Sequence, residues 1–311
     1  MTQALPAVQI LMATYNGERF LPAQLESLMK QDWPGGVRLV VRDDASSDRT
    51  PELLKRAAIS NQRIRLLEDD GGRLGYRDNF GTLLDWAAAD GAELIALSDQ
   101  DDLWDSQKLS CLAAQLATVS GADAALPALA FSDWQLIDAQ GHQIDRAAGE
   151  PADALQLGRL VVENRVPGCM AMFNRELLQL ATPIPACIRN HDHWLVLCAA
   201  AYGRLLRDSR VLVSYRQHGG NAIGESRMAP RRFFRNRCRD WRMLPELLGE
   251  LIRRGEVHQR PVPSALLGWR EVVERRGGFA GCLSLARQGL RPHSRIHQLM
   301  WLWASLLEGR D

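Results

Sequence analysis

Short apolar runs alternate with helix-period segments through the first hundred residues, and that alternation leaves few folds open. Val8 to Met12 reads as a buried strand, followed by an amphipathic helix around Glu18 to Lys30. Arg38 to Val41 is a second strand, with a helix from Pro51 to Ile59. Ile64 to Leu67 is a third, with a helix from about Arg77 to Ala89, and Leu94 to Leu97 is a fourth strand. Strand, helix, strand at this spacing predicts an α/β fold: a mostly parallel twisted sheet flanked by helices, with right-handed crossovers. In open sheets of this kind ligands sit beyond the carboxyl ends of the strands. Chemistry is therefore to be sought just after Met12, Val41, Leu67 and Leu97.

With 311 residues the chain can bury one large core and carry an appendage. Phe131 to Ile137, the turn at Asp138-Ala139-Gln140-Gly141 and the return through Ile144 predict a hairpin. Gly168 to Phe173 reads as a short strand, Asp192 to Tyr202 as a helix and Val211 to Tyr215 as a strand. From about Ser226 arginines (231, 232, 235, 237, 239 and 242) fall among Phe233, Phe234, Trp241, Met243 and Leu244, and helical patterns run on to the end. The division expected is a main domain over 1–225 and a helical, arginine-rich extension over 226–311. A basic helix with an apolar face suits an anionic membrane surface. It suits packing on the main domain equally well.

The formal net charge of +1 gives no case for nucleic acid as a partner. No C-x-x-C pair occurs among the six cysteines, and free thiols in a reducing cytoplasm are the expectation. The N-terminus lacks the basic and apolar regions of a signal peptide. The longest apolar stretch, around Leu299 to Leu307, falls short of the ~18 residues a span requires.

Three clusters stand at strand ends. Asp99-Gln100-Asp101-Asp102 follows the fourth strand, and three acids in four residues repel one another unless a cation or amides neutralise them. Magnesium and manganese take hard oxygen ligands, usually one or two carboxylates with substrate phosphates. The plainer reading is a helix cap, since aspartate favours that position. Asp43-Asp44-Ala45-Ser46-Ser47-Asp48 follows the second strand. Asp48 and Thr50 suit capping of the next helix, whereas Asp43 and Asp44 sit too early for it and suit a base or ribose. Ala13-Thr14-Tyr15-Asn16-Gly17 leaves the first strand with small and hydrogen-bonding groups.

In this order the clusters resemble the family 2 glycosyltransferases, which have the nucleotide-diphospho-sugar transferase fold of the glycosyltransferase A type. The matching residues are Ala13 to Gly17, Val41 to Asp48, Gly75 and Asn79, and Ser98 to Asp102. His191-Asp192-His193-Trp194 and Tyr215-Arg216-Gln217-His218-Gly219-Gly220-Asn221 look like the rhamnosyltransferase-type branch. The resemblance covers about residues 7 to 225. Two positions depart from it. Ala45 stands where the family often has Gly, which implies a less extreme backbone turn, and His193 replaces a common aromatic.

The resemblance implies an inverting transfer from a nucleotide-diphospho-sugar to a saccharide or lipid-linked acceptor, with Mg2+ or Mn2+ as cofactor. Asp101 or Asp102 is the expected metal ligand, joined by His218. Thr14, Tyr15, Asn16, Asp43, Asp44, Asn79 and Asp99 are assigned to the donor, and Arg216 to its phosphates by a charge-assisted bond. Asp192 matches the catalytic base, though an aspartate in a first helical turn is also favourable by itself. Asn164, Gly168, His191 and Trp194 are assigned to the acceptor region, with Trp194 expected to stack on sugar and help bury Asp192. Rhamnose on deoxythymidine diphosphate, in cell-surface polysaccharide synthesis at the cytoplasmic membrane face, is the implied setting. The competing readings are a nucleotidyltransferase and a non-catalytic nucleotide-sugar module. Ala13 to Gly17 lacks the basic residues of the former, and Asp192 beside the acid cluster disfavours the latter. No G-x-G-x-x-G follows the first strand, which disfavours a dinucleotide dehydrogenase.

Overall fold

The computed structural model describes residues 5–68, 72–119, 126–146, 152–219, 230–275, 278–292 and 298, with backbone alone over 230–238. The first four strands, β1 (Val8–Thr14), β2 (Val37–Asp43), β3 (Ile64–Leu66) and β4 (Leu94–Ser98), are parallel and lie in the order β3-β2-β1-β4. The crossovers carry α1 (Leu21–Met29), α2 (Thr50–Ser60) and α3 (Tyr76–Ala89). Val8 and Ile10 to Met12 have no exposed surface, as expected of strands covered on both faces.

The second half of the sheet is mixed. Its elements are β5 (Leu103–Trp104), α4 (Lys108–Ala117), β6 (Ala128–Ile137), β7 (Gln143–Arg146), α5 (Leu157–Leu160), β8 (Ala171–Asn174), α6 (Arg175–Ala181), α7 (His191–Tyr202) and β9 (Arg204–Arg216). The full order is β3-β2-β1-β4-β8-β6-β9-β5, with β8 antiparallel to both neighbours and β7 paired with β6 as the expected hairpin. β9 begins seven residues before the strand expected at Val211, in a polar stretch. Its partner supplies the reason: β6 pairs in parallel along its length, and Arg207 meets Asp133 of β6 with a two-pronged ion pair at 2.9 and 2.7 Å. This long strand delivers its C-terminal end, Arg216, to the rim where β4 ends.

Three helices follow: α8 (Pro230–Val257), α9 (Ser264–Arg275) and α10 (Gly278–Arg287). The expected boundary near Ser226 lies outside the described residues, as do Gly220, Asn221 and the side chains of the first arginines and phenylalanines of the basic segment. From Trp241 onward α8 is seated on the core. Trp241, Leu244, Leu248, Leu251 and Ile252 are buried. The Tyr202 hydroxyl donates to the Leu251 carbonyl, and buried Arg254 donates to the carbonyls of Leu180, Thr182 and Pro183. Among the described residues no helix is long and apolar enough to cross a membrane.

The turn after β2 departs from expectation. Ala45 has φ of 59°, in the left-handed region where a Cβ is disfavoured, so alanine keeps the turn a glycine would make. The Asp43 carboxylate holds it by accepting from the Ser46 amide at 2.9 Å and hydroxyl at 2.6 Å. Ala45→Gly relieves the strain and is expected to raise stability by about 0.5–1 kcal/mol, net of the glycine's extra unfolded-state entropy. A melting curve checks it, and a lowered Tm would contradict the strain.

Candidate active site

Amide side chains fix the loop that leaves β4. Gln24, fully buried on α1, donates from Nε2 to Ser98 Oγ at 2.8 Å and to the Asp99 carbonyl at 3.1 Å. Gln100 reads the Tyr15 backbone as another strand would, accepting from its N–H at 2.8 Å and donating to its carbonyl at 2.9 Å. A Cβ on Gly17 would lie 2.3 Å from Gln100 Oε1, so the turn after β1 needs its glycine. The loops after β1 and β4 are thereby one rigid unit.

Asp101 and Asp102 meet the end of β9. Asp102 is 1% exposed; its Oδ1 accepts from the Arg216 amide at 3.0 Å, and its Oδ2 is buried with no hydrogen-bond partner. Asp101 Oδ2 lies 2.7 Å from His218 Nε2, and the imidazole rests on the Phe20 ring. Arg216 departs from its expected role. Its guanidinium is buried and donates to the carbonyls of Asp101 at 2.7 Å and Asp138 at 3.0 Å, so it shapes the acidic loop from behind.

Burial pushes the Asp99 and Asp102 carboxyls up, and repulsion from Asp101 adds to it. Lys108 of α4, also fully buried, has its Nζ 2.5 Å from the Cys169 carbonyl and over the Trp104 ring. Burial draws its pKa down to about 7, against the pull of Cys169, Asp102 and Asp99. The cluster is thus short of positive charge. Among the described residues, ligand atoms of Asp99, Asp102 and Cys169 lie within 4.8 Å of one another. Burial pushes the Cys169 thiol well up, and a neutral, soft thiol suits a hard cation poorly. Hard oxygen donors suit magnesium or manganese better; of the three expected ligands Asp102 lies in this group with its Oδ2 unpartnered, Asp101 is paired with His218, and among the described residues the three do not form one such group.

Across the rim, the Asp43 carboxylate accepts from Thr14 Oγ1 at 2.8 Å. Asn16 is left-handed at φ 48°, accepting from the Ser47 amide at 2.8 Å while its own amide donates to Ser46 Oγ. Asp44 is 3% exposed and accepts from the amides of Leu74 at 2.7 Å and Gly75 at 2.8 Å and from Arg42 at 3.1 Å. Buried Arg42 in turn donates to Asn79 Oδ1 at 3.2 Å and to the Gly72 carbonyl. Asp44 and Asn79 are therefore chiefly the frame of the loop between β3 and α3. Asp43, Tyr15 and Asn16 remain half-buried or exposed at the rim, with Arg73 stacked over the Tyr15 ring at 4.1 Å.

Asp192 opens α7. Its Oδ1 accepts from the His193 amide at 2.7 Å and its Oδ2 from the Gly168 amide at 3.1 Å. Burial nevertheless pushes its pKa up to about 6. Gly168 opens a 3-10 turn (Gly168–Met170), so the strand expected from 168 begins only at Ala171; a Cβ on Gly168 would sit 3.1 Å from Asp192 Cβ and 3.4 Å from His191 Nε2, a tight approach that glycine eases. The same Cβ position lies 3.3 Å from Leu97 Cδ1 of β4, which brings the start of α7 beside the end of that strand. Trp194 corrects the acceptor assignment: it is fully buried and donates from Nε1 to the Ala181 carbonyl at 2.8 Å, which leaves no face for a sugar. His191 is 6% exposed and stacked on Phe80 at 4.0 Å; burial brings its pKa down to about 3, and it stays neutral.

A model of the family described as Glycosyl transferase family 2 matches residues 9–180, more than half of the chain. The chain belongs to glycosyl transferase family 2. The match takes in every strand-end cluster of the parallel half and stops before Asp192. Similar curated members of glycosyl transferase family 2 fill in the picture. The UDP-Glc:alpha-D-GlcNAc-diphosphoundecaprenol beta-1,3-glucosyltransferase WfgD of Escherichia coli is 36% identical over 104 residues, 33% of this chain and 38% of WfgD. The dTDP-rhamnosyl transferase RfbG of Shigella flexneri is 31% identical over 99 residues, 32% of this chain and 34% of RfbG. The chain spans 38%, 66% and 26% of the lengths of the first relatives it matches. Among solved structures, S. aureus TarS 1-349 in complex with UDP-GlcNAc has a TM-score of 0.59 at 15% identity, over 97% of this chain and 88% of that one. The mannosyltransferase PcManGT from Pyrobaculum calidifontis, in complex with GDP-Man and Mn2+, has a TM-score of 0.55 at 19% identity, over 98% and 88%. At those identities the likeness establishes the glycosyltransferase A-type fold.

Gln24, Gln31, Gln100, Lys108 and Arg42 were not singled out by sequence reasoning. Gln24 did carry a signal: an amide on the face of α1 that otherwise buries Leu21, Leu25 and Leu28.

Proposed function

We propose that the chain is an inverting, metal-dependent glycosyltransferase moving a sugar from a nucleotide-diphospho-sugar to a saccharide acceptor of a cell-surface polysaccharide. The observation that carries this reading is Gly168, whose amide donates to Asp192 Oδ2 and whose Cβ position lies 3.3 Å from Leu97 at the end of β4. On this reading a proton acceptor and a cation-gripping loop face the same space. Asp101, Asp102 and His218 would hold magnesium or manganese, whose chemistry is to neutralise the departing diphosphate. Asp43, with Thr14, Tyr15 and Asn16, borders the nucleoside, and Asp99 the sugar. The Asp192 carboxylate takes the acceptor hydroxyl's proton while its amide bonds hold it in line.

Likeness to RfbG makes rhamnose on deoxythymidine diphosphate the first donor to test, and likeness to WfgD makes a lipid-linked saccharide the first acceptor. The arginines at the start of α8 would touch anionic lipid on the cytoplasmic face; co-sedimentation with vesicles that is indifferent to anionic lipid removes that contact. A thermal-shift screen of UDP-, GDP- and dTDP-sugars with and without manganese tests the function itself. The true donor at a hundredfold over its Kd stabilises by about 2.7 kcal/mol, and only with the metal. No shift from any of them overturns the reading.

A further inference from the structure

We infer that the trough between α8 and the 183–190 segment holds an acceptor glycan of more than one sugar residue, with Gly249 left bare to give it room. The inference rests on the transferase reading. Two cavities lie along α8. The nearer, of about 220 Å³, is lined by Asn164, Ile188, Asn190, His193, Arg239 and Met243 among others. The farther, of about 720 Å³, is lined by Pro185, Pro245, Gly249, Glu250, Arg253 and Arg270 among others. Cys187 borders both, so they form one trough. Its near end reaches the start of α7, because His193, whose amide donates to Asp192 Oδ1, lines it.

The face that α8 turns to the trough is built against helix preference. Pro245, Gly249 and Arg253 recur every four residues and so lie on one face. Proline and glycine are the two residues least favourable in a helix interior. Packing explains glycine elsewhere on this helix: a Cβ on Gly255 would lie 2.5 Å from the Tyr202 hydroxyl. At Gly249 the only atom of the described residues within 4 Å of a Cβ is Nη1 of Arg270, at 3.9 Å. Nothing in the fold forbids a side chain there, and the space it would fill is the trough.

The lining suits sugar. Pyranose rings present apolar C–H faces and hydroxyl edges, and the near cavity offers Ile188, Met243 and Leu247 beside the amides of Asn164 and Asn190. The far cavity offers the charge-paired Glu250 and Arg253. From Arg239 to Arg253 the helix rises about 21 Å, several rings long.

Gly249→Leu fills the far cavity, Met243→Trp the near one, and Gly249→Ala is a control too small to block either. Lipid-linked saccharides extracted from the native host serve as the acceptor probe, with the donor that stabilises the protein. Both large variants are expected to lower incorporation into the extract at least tenfold, with Tm not lowered, manganese-dependent donor hydrolysis by water unchanged, and incorporation by Gly249→Ala near wild type. Undiminished incorporation by both large variants overturns the inference. So does a wild type that hydrolyses donor yet labels no saccharide in the extract. A wild type that neither binds nor hydrolyses any donor instead fails the transferase reading.

Discussion

Asp192→Asn is expected to lower sugar transfer by about a thousandfold while leaving donor affinity within a few fold, since a positioned general base contributes roughly 10²–10⁴. The asparagine matches the carboxylate in shape and cannot accept a proton. Its oxygen can still take the His193 amide, but its NH2 then faces the Gly168 amide that Oδ2 accepted from. A modest loss of stability, about 1–3 kcal/mol, accompanies the substitution. Titrating donor into the variant separates the two effects. The wild type supplies a companion measurement. The pKa of about 6 is raised by burial, and the basic form is the active one. Hence kcat/KM should climb tenfold per pH unit below about 6 and level off above it. A profile flat from pH 5 to 8, or an active Asp192→Asn variant, would remove Asp192 from the base role.

Asp101→Ala is expected to be the second severe lesion, lowering transfer by about 10²–10³, the scale on which removing one electrostatic stabiliser acts. The substitution takes away one ligand and also frees His218, which leans on Asp101 Oδ2 at 2.7 Å. His218→Ala should cost less, because Asp101 and the unpartnered Asp102 Oδ2 remain. Chelation of divalent metal should reproduce the Asp101→Ala deficit in the wild type and change Asp101→Ala little. Activity that survives both would mean the acid cluster serves something other than a cation.

The parallel half of the fold was legible because strands buried on both faces write mostly apolar runs, as β1, β2 and β4 do; β3, at the sheet edge, is the short Ile64-Arg65-Leu66. The acids at their ends stood out for the converse reason: Asp43 interrupts an apolar run where capping does not account for it, and Asp99 and Asp101 lie in a cluster for which a helix cap and a cation site were competing readings. What escaped notice depends on partners distant in sequence. The first half of β9 is polar, and becomes a strand because β6 offers a parallel edge and Asp133 a counter-charge for Arg207. Trp194, two residues from Asp192 in sequence, stands about 160° from it around the helix and is buried in the core. Asp44 and Asn79 looked like ligand contacts and are largely committed to each other through Arg42. Lys108 gave no sign of being buried beside Asp99 and Asp102, since a lysine opening a helix is ordinarily solvated.

Crystals grown with manganese and UDP, measured for the anomalous signal of the metal, probe the common rim most directly. A single peak in ligand contact with Asp101 and His218, with the diphosphate between it and Asp192, is the expected result. A metal bound elsewhere, or a diphosphate held with no carboxylate of the 99–102 loop near it, would contradict the shared site.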